Sequence, residues 1–137
     1  GVNEAQKTVL SLSAENEGVR KAVFSALKPE EFENRVYRTL AECICEYAQR
    51  GEKAEPADMI SLFEDIEDQN TAAAVFAKNN DYEDVAKLEK ELSENVRKIK
   101  ENHISVIMLK APNAEELKKL VEEKRKLNEL HITISDS

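Results

Sequence analysis

Val85-Ala-Lys-Leu-Glu-Lys-Glu-Leu-Ser-Glu-Asn-Val-Arg-Lys-Ile-Lys-Glu-Asn-His103, continuing as Ile104-Ser-Val-Ile-Met-Leu109, is the stretch that decides the fold. Val85, Leu88, Leu92, Val96, Ile99 and His103 recur every three or four residues, the period of one helical face. Asp81 is the expected N-cap, with Asp84 three positions on favouring the positive end of the helix dipole. From Asp81 to Leu109 the helix would cover about 29 residues, roughly 43 Å at ~1.5 Å per residue. A small bundle cannot cover that length, so the far half is expected to project.

Downstream, Lys110-Ala-Pro-Asn113 breaks the pattern, and Asn113 followed by Glu116 reads as a capping box opening a last helix. That helix carries Leu117, Leu120, Val121, Leu127, Leu130 and Ile134. A connection this short predicts an antiparallel helical hairpin, Leu117 near Ile107 and Leu127 near Val96. Residues 104–109 and 131–135 are rich in β-branched side chains and could read as strands. Two strands alone make no stable sheet, so helix with a frayed end is the expectation for both.

Upstream, a first helix is expected from Asn3 to Ser13 and a second from Val19 to Leu27. Pro29 suits the first turn of a third helix reaching Arg50; its apolar residues leave little polar face, which predicts the centre of the bundle. Gly51 should end it as a left-handed cap. Pro56 opens a short fourth helix with Met59, Ile60, Leu62 and Phe63 inward. Residues 64–68 are acidic but lack the glycine and the spaced bidentate ligand of a calcium loop, so they read as a solvated linker. A fifth helix is expected over residues 71–78.

These elements predict an all-α fold: an N-terminal multi-helix bundle over residues 1–97, then a C-terminal hairpin over residues 98–137. The 137-residue length fits one core, and 35% charged residues with three glycines and three prolines suit helices joined by short connections. Net charge is −8, of which residues 1–80 carry −6; such a surface repels phosphates, so direct nucleic-acid binding is not expected. No apolar run reaches the ~20 residues of a membrane span and no signal peptide opens the chain, predicting a soluble cytoplasmic protein. Cys43 and Cys45, two apart on a helix, point roughly 200° away from each other and read as small hydrophobes.

Catalysis would leave a nucleophile with its base, a metal cluster or a phosphate cradle, and none is visible. His103 and His131 fall apart in the hairpin register, and the aromatics face inward save Tyr82, leaving no base-stacking platform. The expectation is a non-catalytic chain with no cofactor and no metal. Residues off the hairpin seam, such as Leu120, Leu130 and Ile132, would be partly exposed unless a partner covers them.

Order and spacing carry a resemblance. Pro29-Glu-Glu-Phe32, Tyr37-Arg-Thr-Leu40, Gly51-Glu-Lys53, Pro56-Ala-Asp-Met-Ile60 and Leu62-Phe-Glu-Asp65, with the run from Glu116 to Leu130, resemble the C-terminal helicase-binding domain of bacterial DnaG-type DNA primases. The likeness spans nearly the whole chain on motifs of low specificity, and residues 102–113 are more β-branched and shorter than the charged arm usual there. The resemblance implies a bundle and hairpin, the hairpin docking on the N-terminal collar of the hexameric DnaB-type replicative helicase and the bundle modulating helicase and primase activity in primer synthesis. It places primase chemistry in other domains, and the chain is expected to be monomeric alone. Candidate partner-binding residues are Leu117, Leu120, Val121, Lys124, Leu127, Leu130, Ile132 and Ile134. The N-terminal domain of the helicase itself shares that bundle fold, though Ile132 to Ser137 reads as a chain end; an unrelated homodimerising helical adaptor is the other alternative.

Overall fold

The computed structural model describes residues 1–82 and 84–134. Among these residues seven α-helices run in the order α1 (Val2–Glu15), α2 (Glu17–Ala26), α3 (Arg35–Arg50), α4 (Pro56–Ile60), α5 (Ile66–Phe76), α6 (Val85–Met108) and α7 (Ala114–Lys126), with 3-10 turns at Pro29–Glu31 and Leu127–Glu129. Among the described residues there is no strand, so the fold is all-α. None of its helices is long and apolar enough to cross a membrane among those residues.

The central helix is α1, not the third helix expected from its apolar content. It packs against α2, α3, α5 and α6. Ala5, Val9, Leu10 and Leu12 are buried, and so are Gln6, Thr8, Ser11 and Ser13. Hydrogen bonds offset that burial for two of the four: Gln6 Oε1 accepts from the Asn34 backbone N–H at 3.3 Å, and Asn80 Nδ2 donates to Ser11 Oγ at 2.6 Å, whereas the Ser13 hydroxyl is buried without a partner among the described residues. Buried Arg20 of α2 donates through Nη1 to the Ser13 and Ala14 carbonyls at 2.8 and 3.2 Å, meeting the negative end of α1.

Several boundaries move from their expected places. The third helix starts at Arg35 instead of Pro29, because Asn34 accepts from the Tyr37 N–H and caps it. Ahead of it Pro29 opens a single 3-10 turn, and Phe32 is fully buried, its ring stacked on Phe24 with centroids 6.5 Å apart. Gly51 ends α3 at φ 66°, the left-handed cap its residue type suggested. Residues 66–68 of the expected linker belong to α5, which begins after Asp65, and Leu62 faces outward while Met59 and Phe63 are buried. The N-cap of α6 is Asp84, whose carboxylate accepts from Lys87 N–H at 2.8 Å, in place of Asp81, and Val85 at its first turn is exposed.

α6 is the long strut of the fold, 24 residues or roughly 36 Å. Leu92, Val96 and Ile99 join the core formed with Val9, Leu40 and Ile44. Residues 104–108 are helical, as expected. The expected helix over 131–134 is absent: these residues follow the turn at Leu127–Glu129 in an unwound, non-strand conformation, and Ile132 enters the core at 4% exposure. Ser135, the end of that stretch, lies outside the described residues. The expected division between residues 97 and 98 falls inside α6, and Ile99 and Ile132, both beyond it, share one core with the bundle.

Candidate docking surface

The arm begins where α6 leaves the bundle. Lys100 Nζ donates to Glu31 Oε1 and Oε2 at 3.0 and 3.2 Å, and His103 Nδ1 lies 2.6 Å from Glu33 Oε1. Both contacts tie α6 to the link between α2 and α3. Ile104, one residue later, is the last buried position of the helix. Beyond it Ile107 is 37% exposed and Leu109 88% exposed, because α6 has outrun the body that buried its earlier turns. The chain reverses at once: Lys110 N–H donates to Ile107 O at 2.9 Å, and Asn113 caps α7 by accepting from Glu116 N–H at 2.9 Å.

α7 has no buried residue. It folds back along α6, half-burying Leu120, Lys124 and Leu127, with Lys124 Nζ donating to Ser105 Oγ at 3.4 Å. Leu117 and Val121, four residues apart on one helical stripe, are 40% and 50% exposed. Glu115 and Glu116 in its first turn and Lys124, Arg125 and Lys126 in its last complement the helix dipole. Between this arm and α2 lies a groove of about 620 Å³ whose apolar lining includes Phe24, Ile104, Ile107 and Leu127.

The expected site residues therefore separate into three sets. Leu117 and Val121 are outward and available. Leu120, Lys124 and Leu127 are half-buried. Leu130 and Ile134 pack against the core half-buried and Ile132 lies in it, so of Leu120, Leu130 and Ile132, expected to be partly exposed without a partner, only Ile132 is corrected. Its own chain covers Ile132. Ile107 and Leu109 belong with Leu117 and Val121 as exposed aliphatics of the arm, but their β-branched run masked them as a question of secondary structure. The signal that could have found them was arithmetic: Ile107 is eight residues, over two turns, past Ile99, the last residue of α6 in the main core.

His131 is exposed and borders a second groove, between α2 and the C-terminal segment, whereas His103 faces Glu33. Among the described residues no three His, Cys, Asp or Glu side chains are grouped to hold a metal ion. Cys43 and Cys45 are free thiols, and burial raises the pKa of both. Comparison with family models, with curated proteins and with solved structures finds no match to this chain.

Proposed function

We propose that this chain is a protein-docking module of a bacterial replication primase, whose arm engages the N-terminal collar of a hexameric DnaB-type replicative helicase in the cytoplasm. The observation that carries the reading is the exposed aliphatic set Ile107, Leu109, Leu117 and Val121, where α6 and α7 extend past the core. Removing such side chains from water yields roughly 1.5–3 kcal/mol each when complete. Leu109 lies almost wholly in water, and Ile107, Leu117 and Val121 keep between about a third and a half of their surface there. The order of elements adds support: a buried phenylalanine, a long helix closed by glycine, a short helix followed by acidic residues, then the long helix and its return match the order of parts that the primase resemblance implies.

The role is binding, and primer synthesis itself belongs on this reading to other domains. Docking would couple the arm to the helicase while the bundle modulates its activity. Sedimentation of the chain with a DnaB-type hexamer tests it. Co-sedimentation at micromolar concentration is expected, and Leu117→Ser with Val121→Ser should abolish it at unchanged helicity. Absence of co-sedimentation overturns the proposal. A mass of the chain alone that grows with concentration, and is lost in the same double variant, replaces it with an arm-to-arm homodimer.

A further inference from the structure

The α4–α5 connection leaves two large aliphatic side chains in water, neither of them part of the arm. Met59 and Phe63, four residues apart, turn into the core; Leu62 and Ile66, also four apart, turn out to 55% and 71% exposure. The inward pair completes the packing, so the outward pair is surplus to the fold. Ile66 is moreover the first residue of α5, where acidic side chains are favoured by the dipole and a β-branched aliphatic has no advantage.

The surroundings specify what could cover it. Between residues 52 and 68 there are seven acidic side chains and one lysine. Asp68 is paired with Arg35 at 2.8 Å and Glu55 with Lys53 at 3.9 Å. Asp58, Glu64, Asp65 and Glu67 have no cationic side chain within 4.0 Å among the described residues. A neutral apolar partner would strip water from these carboxylates without replacing it, and an anionic one would be repelled. An aliphatic ridge flanked by lysine and arginine satisfies both requirements, and a helix presents such a ridge at three- and four-residue spacing.

We infer that the α4–α5 connection is a docking surface for a basic amphipathic helix of a partner protein, with Leu62 and Ile66 as the apolar anchors and Asp58, Glu64, Asp65 and Glu67 as the charge complement. The surface is independent of the arm and operates whether or not the arm binds a helicase. A second copy of this chain is a poorer occupant: α7, its exposed helix, mixes five basic with four acidic residues.

The test uses the full chain and a labelled synthetic peptide of about five helical turns, leucines on one face and lysines elsewhere, read by fluorescence anisotropy. Saturable binding that weakens with salt is expected. Leu62→Ser with Ile66→Ser should lower affinity about tenfold or more, since interface anchors lose that much on truncation. Both positions are exposed, so thermal melting should be unchanged. Glu64→Lys with Glu67→Lys, which keeps the ridge and reverses the charge, should lose a similar factor. A peptide of equal composition with leucines spread around the helix should bind at least tenfold more weakly. The inference is overturned if the serine variant binds as well as the parent, if the spread peptide binds equally, or if the loss appears instead in Leu117→Ser with Val121→Ser. It is also overturned if the chain alone associates with increasing concentration and the Leu62, Ile66 variant abolishes that association.

Discussion

Ser93 Oγ, in the middle of α6, accepts a hydrogen bond from the buried backbone N–H of Ile132 at 2.9 Å while donating to the Glu89 carbonyl at 2.7 Å. It is the centre of a short ladder. Arg97 donates through Nε to Leu130 O at 3.0 Å, and Glu89 Oε2 accepts from Ile134 N–H at 2.7 Å. The partners step by four residues down α6 and by two along the tail. Four residues of helix rise ~6 Å, and two of extended chain advance ~6.6 Å, so the two repeats stay in register for three rungs. The end of the arm is thereby fastened to the bundle.

Ser93→Ala should therefore do more than remove one contact. It leaves the Ile132 N–H buried without an acceptor, a loss of about 1–3 kcal/mol. Ile132→Ala, which empties a core position, should cost about 2–4 kcal/mol. Urea unfolding of each variant checks both figures, and a loss under half a kcal/mol for either would contradict the packing described.

The leucines of the arm should sort by burial. Leu130→Ala is expected to lower Tm, because Leu130 packs against the core, whereas Leu117→Ser and Val121→Ser should leave stability within about 0.5 kcal/mol of the parent. Differential scanning calorimetry separates the two classes before any binding is measured. Melting of the Leu117 variant with the Leu130 variant would place α7 in the core.

Glu4 accepts a hydrogen bond from Lys78 Nζ at 2.9 Å, and that bond, with the lysine's charge, lowers its pKa. A carboxylate with a depressed folded value contributes stability that is present above its unfolded pKa, about 4.3, and is lost as pH falls through the folded one. Glu4 is mostly exposed, so solvent screening limits the contribution to less than about 1 kcal/mol. Lys78→Met should remove it: the variant and the parent converge in stability at acid pH and differ at pH 7. Carboxyl titration by NMR should show Glu4 moving upward in the variant.

Burial raises the pKa of Cys43 above its ordinary value, with Glu46 adding to the effect, and burial raises Cys45 as well. The thiolate is the reactive form. At pH 7 both should react with iodoacetamide more slowly than a free thiol, the rate climbing as pH passes above the ordinary thiol range. Mass-resolved alkylation reads this directly, and a rate equal to that of free cysteine at pH 7 would contradict it.

Much of the architecture was legible because periodicity is local. The α6 stripe from Leu88 to Ile99, the Gly51 cap, the Asn113 cap and the return of α7 all depend on residues a few positions apart. Boundary errors came from rival local signals. Pro29 is as good at starting a 3-10 turn as an α-helix, and Asp81 and Asp84 are both competent caps; tertiary packing chose between them. The centrality of α1 was hidden by Gln6, Ser11 and Ser13, polar residues that look solvent-facing until partners 28 and 69 residues away are known for two of them.

Residue order by itself determined that this chain is helical and acidic and that its long helix is followed by a returning one, since those properties follow from spacing and composition. Which aliphatic side chains remain in water was decided only in three dimensions. Leu117 and Ile132 look alike as sequence, but Ile132 meets Ser93 and the core while Leu117 lies where α6 has passed beyond the body. Exposure depends on what other segments occupy the same space, and no local pattern records that.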